Sequence, residues 1–225
     1  MRLSAVSYQN PEQVRKIVDS KFAASAEGPM QSIRSSKRVA GIPSGLTLQI
    51  AQIATFSALI AAGTAILRIP APPPLFEITI APVFYLAISV LFPRRVSFWS
   101  TAIGSAIGEA INVALYGGFP IYVAGIVWAR APEALIVYKF RNGSMRILII
   151  AMILATIFET LAFFFPDWIF YSLALFSYSD TPQGLAGGFA SAFSDLFTMV
   201  DLLWIPLAIG AVVAVRRVFR TRFLE

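Results

Sequence analysis

The chain has 225 residues, of which 57% are hydrophobic and only 13% charged, against roughly 45–50% and 25% in soluble domains. A soluble domain of this size has nowhere to bury so much apolar surface, and a disordered chain is poorer in aliphatics and richer in charge, so both classes are excluded. The net charge is +6 and there is neither cysteine nor histidine, which excludes disulfides, thiolate metal sites and thiol catalysis and removes the usual general base.

Residues 1–46 form a polar tail with seven basic residues (Arg2, Arg15, Lys16, Lys21, Arg34, Lys37, Arg38) against Glu12, Asp19 and Glu27. Asn10-Pro11-Glu12-Gln13 has the signals of a helix start, with Asn10 as cap and Pro11 in the first turn. Val14, Ile17, Val18 and Phe22 then share one face of a short amphipathic helix. That face rests on the inner leaflet or a partner; a mostly unstructured tail is the alternative.

Six apolar segments follow, at about 47–68, 75–92, 97–115, 119–138, 146–165 and 188–214, each near the ~20 residues that cross a bilayer. Prolines from Pro70 to Pro74, Pro93-Arg94-Arg95, Gly117-Gly118 and the stretch from Lys139 to Arg146 separate them. Sixteen of the 18 Lys and Arg fall on one side, in the tail, the two turns and the C-terminus (Arg216, Arg217, Arg220, Arg222); the other side holds only Arg68. The excess of positive charge marks the cytoplasmic side. The prediction is an all-α, multi-pass protein of the cell membrane. A cytoplasmic tail (1–46) precedes a six-helix domain (47–215) and a basic cytoplasmic C-terminus (216–225), with both termini inside.

The outward loops differ. The first, Arg68 to Glu77, is stiffened by its prolines. The second, Tyr116 to Pro120, is a tight turn. The third, 166–187, carries Trp168, Phe170, Tyr171, Phe176 and Tyr178; such rings favour the lipid–water boundary, as a surface anchor or as a lid.

Ionisable residues inside spans are costly and therefore candidates for function. Here they are Glu109, Arg130, Glu133, Glu159, Asp195 and Asp201, with Asn112 beside them. At ~1.5 Å per residue, Glu109, Glu159 and Asp195 share the outer half of three helices, and Arg130 and Asp201 lie near mid-depth. This level predicts an outward-facing polar cavity. Arg130 neutralises Glu133 on its own helix, reaches across to another helix's acid, or locks the bundle through Glu133 or Asp201. Ser191 and Ser194 offer Asp195 local partners. Five acids against one arginine favour a cationic or hydrogen-bond-donating ligand, and Trp128 and Tyr122 could stack on it or simply pack.

Ala54, Ala58 and Ala62 recur every four residues in the first segment, as do Gly104, Gly108 and Asn112 in the third. Small-xxx-small faces let helices approach closely in lipid.

With these spans, the run Ala58-Leu59-Ile60-Ala61-Ala62, the proline-bearing first loop and the stretch from Ser97 to Glu109, residues 47–215 resemble the substrate-binding (S) component of energy-coupling factor (ECF) transporters of vitamins and related micronutrients. The resemblance implies substrate captured from outside beneath a cap formed by the first loop. It also implies a transmembrane coupling (T) subunit docked on Ala54, Ala58 and Ala62, and two cytoplasmic ATPases. The sequence has no Walker A loop. Expected substrate contacts are Glu109, Asn112, Trp128, Arg130, Glu133, Glu159 and Asp195, with no catalytic residue, metal, cofactor or nucleic acid. The acidic cavity leans toward a cation such as thiamine. The competing reading is a stand-alone proton-coupled transporter using the same carboxylates; no internal repeat of the kind common in such carriers is evident. A carboxylate-only membrane enzyme is a third reading, without a tight acid pair to support it.

Overall fold

The computed structural model describes residues 45–70, 77–116, 119–175 and 184–222. The expectations for the tail before residue 45, the proline run 71–76 and the end of the third loop lie outside them. The fold is helical, with one two-stranded hairpin. In chain order, α1 (Gly45–Ala65) leads into β1 (Arg68–Pro70), which pairs antiparallel with β2 (Glu77–Thr79), Arg68 opposite Thr79. Then come α2 (Ala81–Leu91), α3 (Arg94–Tyr116), α4 (Ile121–Lys139), α5 (Met145–Ser172) and α6 (Gly184–Ala192). A 3₁₀ stretch over Phe193–Trp204 joins α6 to α7 (Ile205–Arg222).

Four helical stretches among the described residues are long and apolar enough to cross a membrane: Gly45–Ala65, Ile121–Lys139, Met145–Ser172 and Gly184–Phe219. The two other expected spans depart from that standard for different reasons. Helix α2 has 11 residues, about 16 Å of rise, because Pro82 sits in its first turn and Pro93 holds Phe92 extended (φ −116°, ψ 164°). Helix α3 has 23 residues, but Ser97, Ser100, Thr101, Ser105, Glu109 and Asn112 make it polar along one side.

The last two spans differ from expectation. Helix α5 runs through Pro166 to Ser172, so the aromatic stretch expected as a loop from 166 begins as helix. Pro166 forgoes its own N–H bond to the preceding turn and crowds the carbonyl four residues back, yet the helix continues past it. The last span is not a continuous α-helix, because its middle is 3₁₀.

The glycines of α3 set its contact with α1. A methyl at Gly104 would come within 2.7 Å of the Ser57 carbonyl, and one at Gly108 within 2.5 Å of Thr64 Cβ. Backbones meet here because no side chain stands between them. The face of α1 so used is Ser57, Ile60, Ala61 and Thr64, all buried; Ala54 and Ala58 are exposed and Ala62 half-buried.

The apolar core fills one half of the bundle, with Tyr85, Leu86, Ile88, Val137, Leu148, Met152, Ile205, Ala208 and Val212 packed from α2, α4, α5 and α7. The basic turns gather at that end: Arg141 Nη1 donates to the Phe92 carbonyl (2.9 Å) and Arg216 Nη2 to the Arg141 carbonyl (3.1 Å). Replacing Gly108 by Val should lower stability by roughly 1–3 kcal/mol through overpacking, read as a fall in the thermal unfolding midpoint in detergent. An unchanged midpoint would mean that α1 and α3 are not in backbone contact.

Candidate functional site

Toward the end opposite the basic turns lies a cavity of about 310 Å³. Every major wall contributes polar groups: Thr79 from β2, Glu109 from α3, Tyr122 and Arg130 from α4, Glu159 and Tyr171 from α5, and Asp195, Thr198 and Asp201 from the 3₁₀ stretch. Phe163, Phe197 and Val200 supply apolar surface. Glu109, Arg130, Glu159 and Asp195, four of the residues expected from the sequence, are thus brought to one cavity.

Its inner end is organised by an ion pair. Arg130 Nε donates to Glu159 Oε1 at 2.8 Å, with both side chains almost wholly buried. Tyr85 Oη donates to the other Glu159 oxygen at 3.2 Å, and its ring lies 5.5 Å from the guanidinium carbon. Arg130 Nη1 reaches Thr64 Oγ1 at 3.4 Å. One carboxylate therefore holds α5 to α4 and α2, and one guanidinium holds α4 to α1. Of the partners considered for Arg130, the acid on another helix is the one found, and it is Glu159 rather than Glu133 or Asp201.

The 3₁₀ stretch explains how Asp195, Thr198 and Asp201 come to share the cavity. With three residues per turn, side chains three apart eclipse, so these three form one column and Ser194, Phe197 and Val200 an adjoining one. In an α-helix, at 3.6 residues per turn, Asp195 and Asp201 would point about 120° apart. Thr198 Oγ1 donates to the Asp195 carbonyl (2.7 Å) and lies 2.9 Å from Thr160 Oγ1 on α5. Ser194 donates to the Ser191 carbonyl (3.1 Å) rather than to Asp195. Asp195 Oδ2 accepts no hydrogen bond from a described protein donor, and its carboxyl faces Asp167, which accepts from Tyr122 Oη at 3.0 Å.

The remaining expected residues fall elsewhere. Glu133 is fully buried behind the cavity, where Oε1 accepts from Thr156 at 3.3 Å. Asn112 is buried beside it and donates to Glu109 Oε2 and to the Thr64 carbonyl, each at 3.4 Å. Trp128 is 66% exposed and lies outside the cavity, lining a separate groove with Ile121, Ala124 and Gly125. Sequence reasoning missed Tyr85, which reads as one more aromatic in an apolar run. It left Asp201 undecided between locking the bundle and contacting ligand, and the structure puts it on the cavity wall in line with Asp195. Among the described residues no three acids approach closely enough to hold a metal ion.

Comparison with known proteins finds no matching family profile and no matching curated protein. Among solved structures the chain is similar to the S component of a bacterial ECF transporter, with a TM-score of 0.54 and 20% identity over 80% of this chain and 99% of that one. The protein is a multi-pass membrane protein with the fold of an ECF S component.

The buried pair predicts a specific energetic pattern. Arg130→Met or Glu159→Met alone should destabilise the protein by roughly 3–5 kcal/mol, because each leaves a charge unpaired in a dry site, while the double replacement should recover much of the loss. Unfolding midpoints of the four proteins check it; strictly additive losses would show that the two groups do not interact.

Proposed function

We propose that this chain is the membrane-embedded substrate-binding subunit of an ATP-driven importer, and that its ligand is a small organic cation of the vitamin or micronutrient class. The observation that carries this reading is the cavity's charge: Glu109, Glu159, Asp195 and Asp201 line it against Arg130 alone. Arg130 and one carboxylate neutralise each other, which leaves three acids around a mostly aromatic middle. A cation with hydrogen-bond donors satisfies those acids without leaving carboxylates desolvated and unpaired. Tyr122, Tyr171, Phe163 and Phe197 offer π-faces to a flat or cationic ring. The acids are spread along the wall, which suits an extended organic molecule such as thiamine better than a point ion.

The fold supports the rest of the proposal. The chain crosses the membrane six times with both termini cytoplasmic, so the basic end faces inward and the cavity outward. Ala54, Ala58 and Ala62 form a stripe of small side chains that α3 leaves uncovered; the transmembrane coupling subunit docks there, and two cytoplasmic ATPases drive transport. Glu109, Glu159, Asp195 and Arg130 contact substrate directly, and Asn112 holds Glu109. Glu133 supports the site from behind.

The test is the identity of the small molecule released when the purified protein is denatured, read by mass spectrometry. An organic cation near one per chain is expected; an anion in its place would overturn the reading. With thiamine as a titrated probe, Glu109→Gln should weaken binding at least about tenfold, or ~1.4 kcal/mol, at an unchanged unfolding midpoint. Ala58→Trp should leave binding intact and abolish assembly with the coupling subunit. Uptake by liposomes holding this chain alone under an imposed proton gradient would replace the proposal by the proton-coupled alternative.

A further inference from the structure

At the basic end, away from the acidic cavity, a second pocket of about 260 Å³ is lined by Arg94, Arg95, Phe98, Trp99 and Leu135. The first four lie on the opening turns of α3, with Phe98 and Trp99 each four residues after an arginine and hence one turn deeper, about 6 Å. Leu135 closes the wall from α4. The Phe98 and Trp99 rings meet edge to face at 5.1 Å, and Trp99 stays 51% exposed. Both arginines are exposed, and neither has a hydrogen-bond or ion-pair partner among the described residues.

Two features make this more than a share of the general positive charge. Cations in the first turn oppose the helix dipole, so the helix itself does not favour arginines there. Membrane orientation accounts for their sign, but it does not account for aromatic walls one turn below them. Paired guanidiniums over an apolar, aromatic slot match a molecule with a phosphate at one end and hydrocarbon at the other. Arginine engages phosphate through parallel N–H donors, and tryptophan favours the headgroup level of a bilayer. Basic pockets between membrane helices are suited to lipid headgroups.

We propose that this pocket binds the headgroup of an anionic phospholipid from the adjoining leaflet. The phosphate sits between Arg94 and Arg95, and the glycerol and first acyl carbons lie along Phe98, Trp99 and Leu135. The site is separate from the acidic cavity and does not depend on what that cavity binds.

The experiment is native mass spectrometry of the full chain in neutral detergent with equimolar phosphatidylglycerol and phosphatidylcholine. The wild type should retain phosphatidylglycerol over phosphatidylcholine by roughly tenfold, and Arg94→Gln/Arg95→Gln should bring the ratio close to one. Lys139→Gln/Arg146→Gln removes the same charge from the same end and should leave the preference in place. Trp99→Ala, which keeps the charge, should also reduce phosphatidylglycerol retention and serves if the double arginine variant does not fold. Unchanged preference in the Arg94/Arg95 or Trp99 variants would overturn the proposal. So would an equal loss in the Lys139/Arg146 control, which would mean diffuse charge. Displacement of the lipid by millimolar inorganic phosphate would overturn it in favour of a free anion.

Discussion

A guanidinium placed among packed helices costs several kcal/mol unless a counter-charge and hydrogen bonds replace the water it loses. Arg130 meets that constraint through Glu159, Thr64 and the face of Tyr85, and the four residues come from four different helices. The arrangement fixes where α1, α2, α4 and α5 stand relative to one another. It divides the bundle into an apolar half toward the basic end and a polar half in which the other acids surround a cavity. Without the pair, Glu159 and Arg130 would each need water, and the floor of the cavity would open.

The 3₁₀ stretch is the second structural decision. Twelve residues in this conformation are far more than the three or four usually tolerated, and the poorer hydrogen-bond geometry has to be offset. The return is a straight column of Asp195, Thr198 and Asp201 with an aromatic and aliphatic column beside it. The Thr198–Thr160 contact pins the stretch to α5. On the opposite side, contact between α1 and α3 at Gly104 and Gly108 lets α3 present Glu109 inward while α1 keeps its alanine stripe free. Polar convergence and close backbone approach are two consequences of one packing scheme.

Much of this was legible in the sequence, for identifiable reasons. Long apolar runs separated by proline, glycine and charge disclose helices because hydrocarbon tolerates no unsatisfied backbone. Ionisable residues inside those runs disclose the cavity because nothing cheaper explains their presence, and Glu109, Glu159 and Asp195 do line it. What was not legible depends on conformation. Trp128 sits two residues from Arg130, a spacing that puts it on a different face of α4. Glu133 shares a face with Arg130 but lies one turn deeper, past the cavity floor. The alignment of Asp201 with Asp195 needs a helical period that nothing in the residues announces. Helix α2 is cut short by Pro82 and Pro93, although the apolar run around it is long enough for a full span.

The central claim is that acids from α3, α5 and the 3₁₀ stretch converge on one cavity. Because the chain has no cysteine, each position from Phe193 to Trp204 can be made the single thiol and challenged with a membrane-impermeant maleimide. Labelling should recur every third residue, strong at Ser194–Asp195, Phe197–Thr198 and Val200–Asp201 and weak at Phe193, Leu196 and Met199. A repeat of 3.6, or protection of all twelve positions, would contradict the convergence.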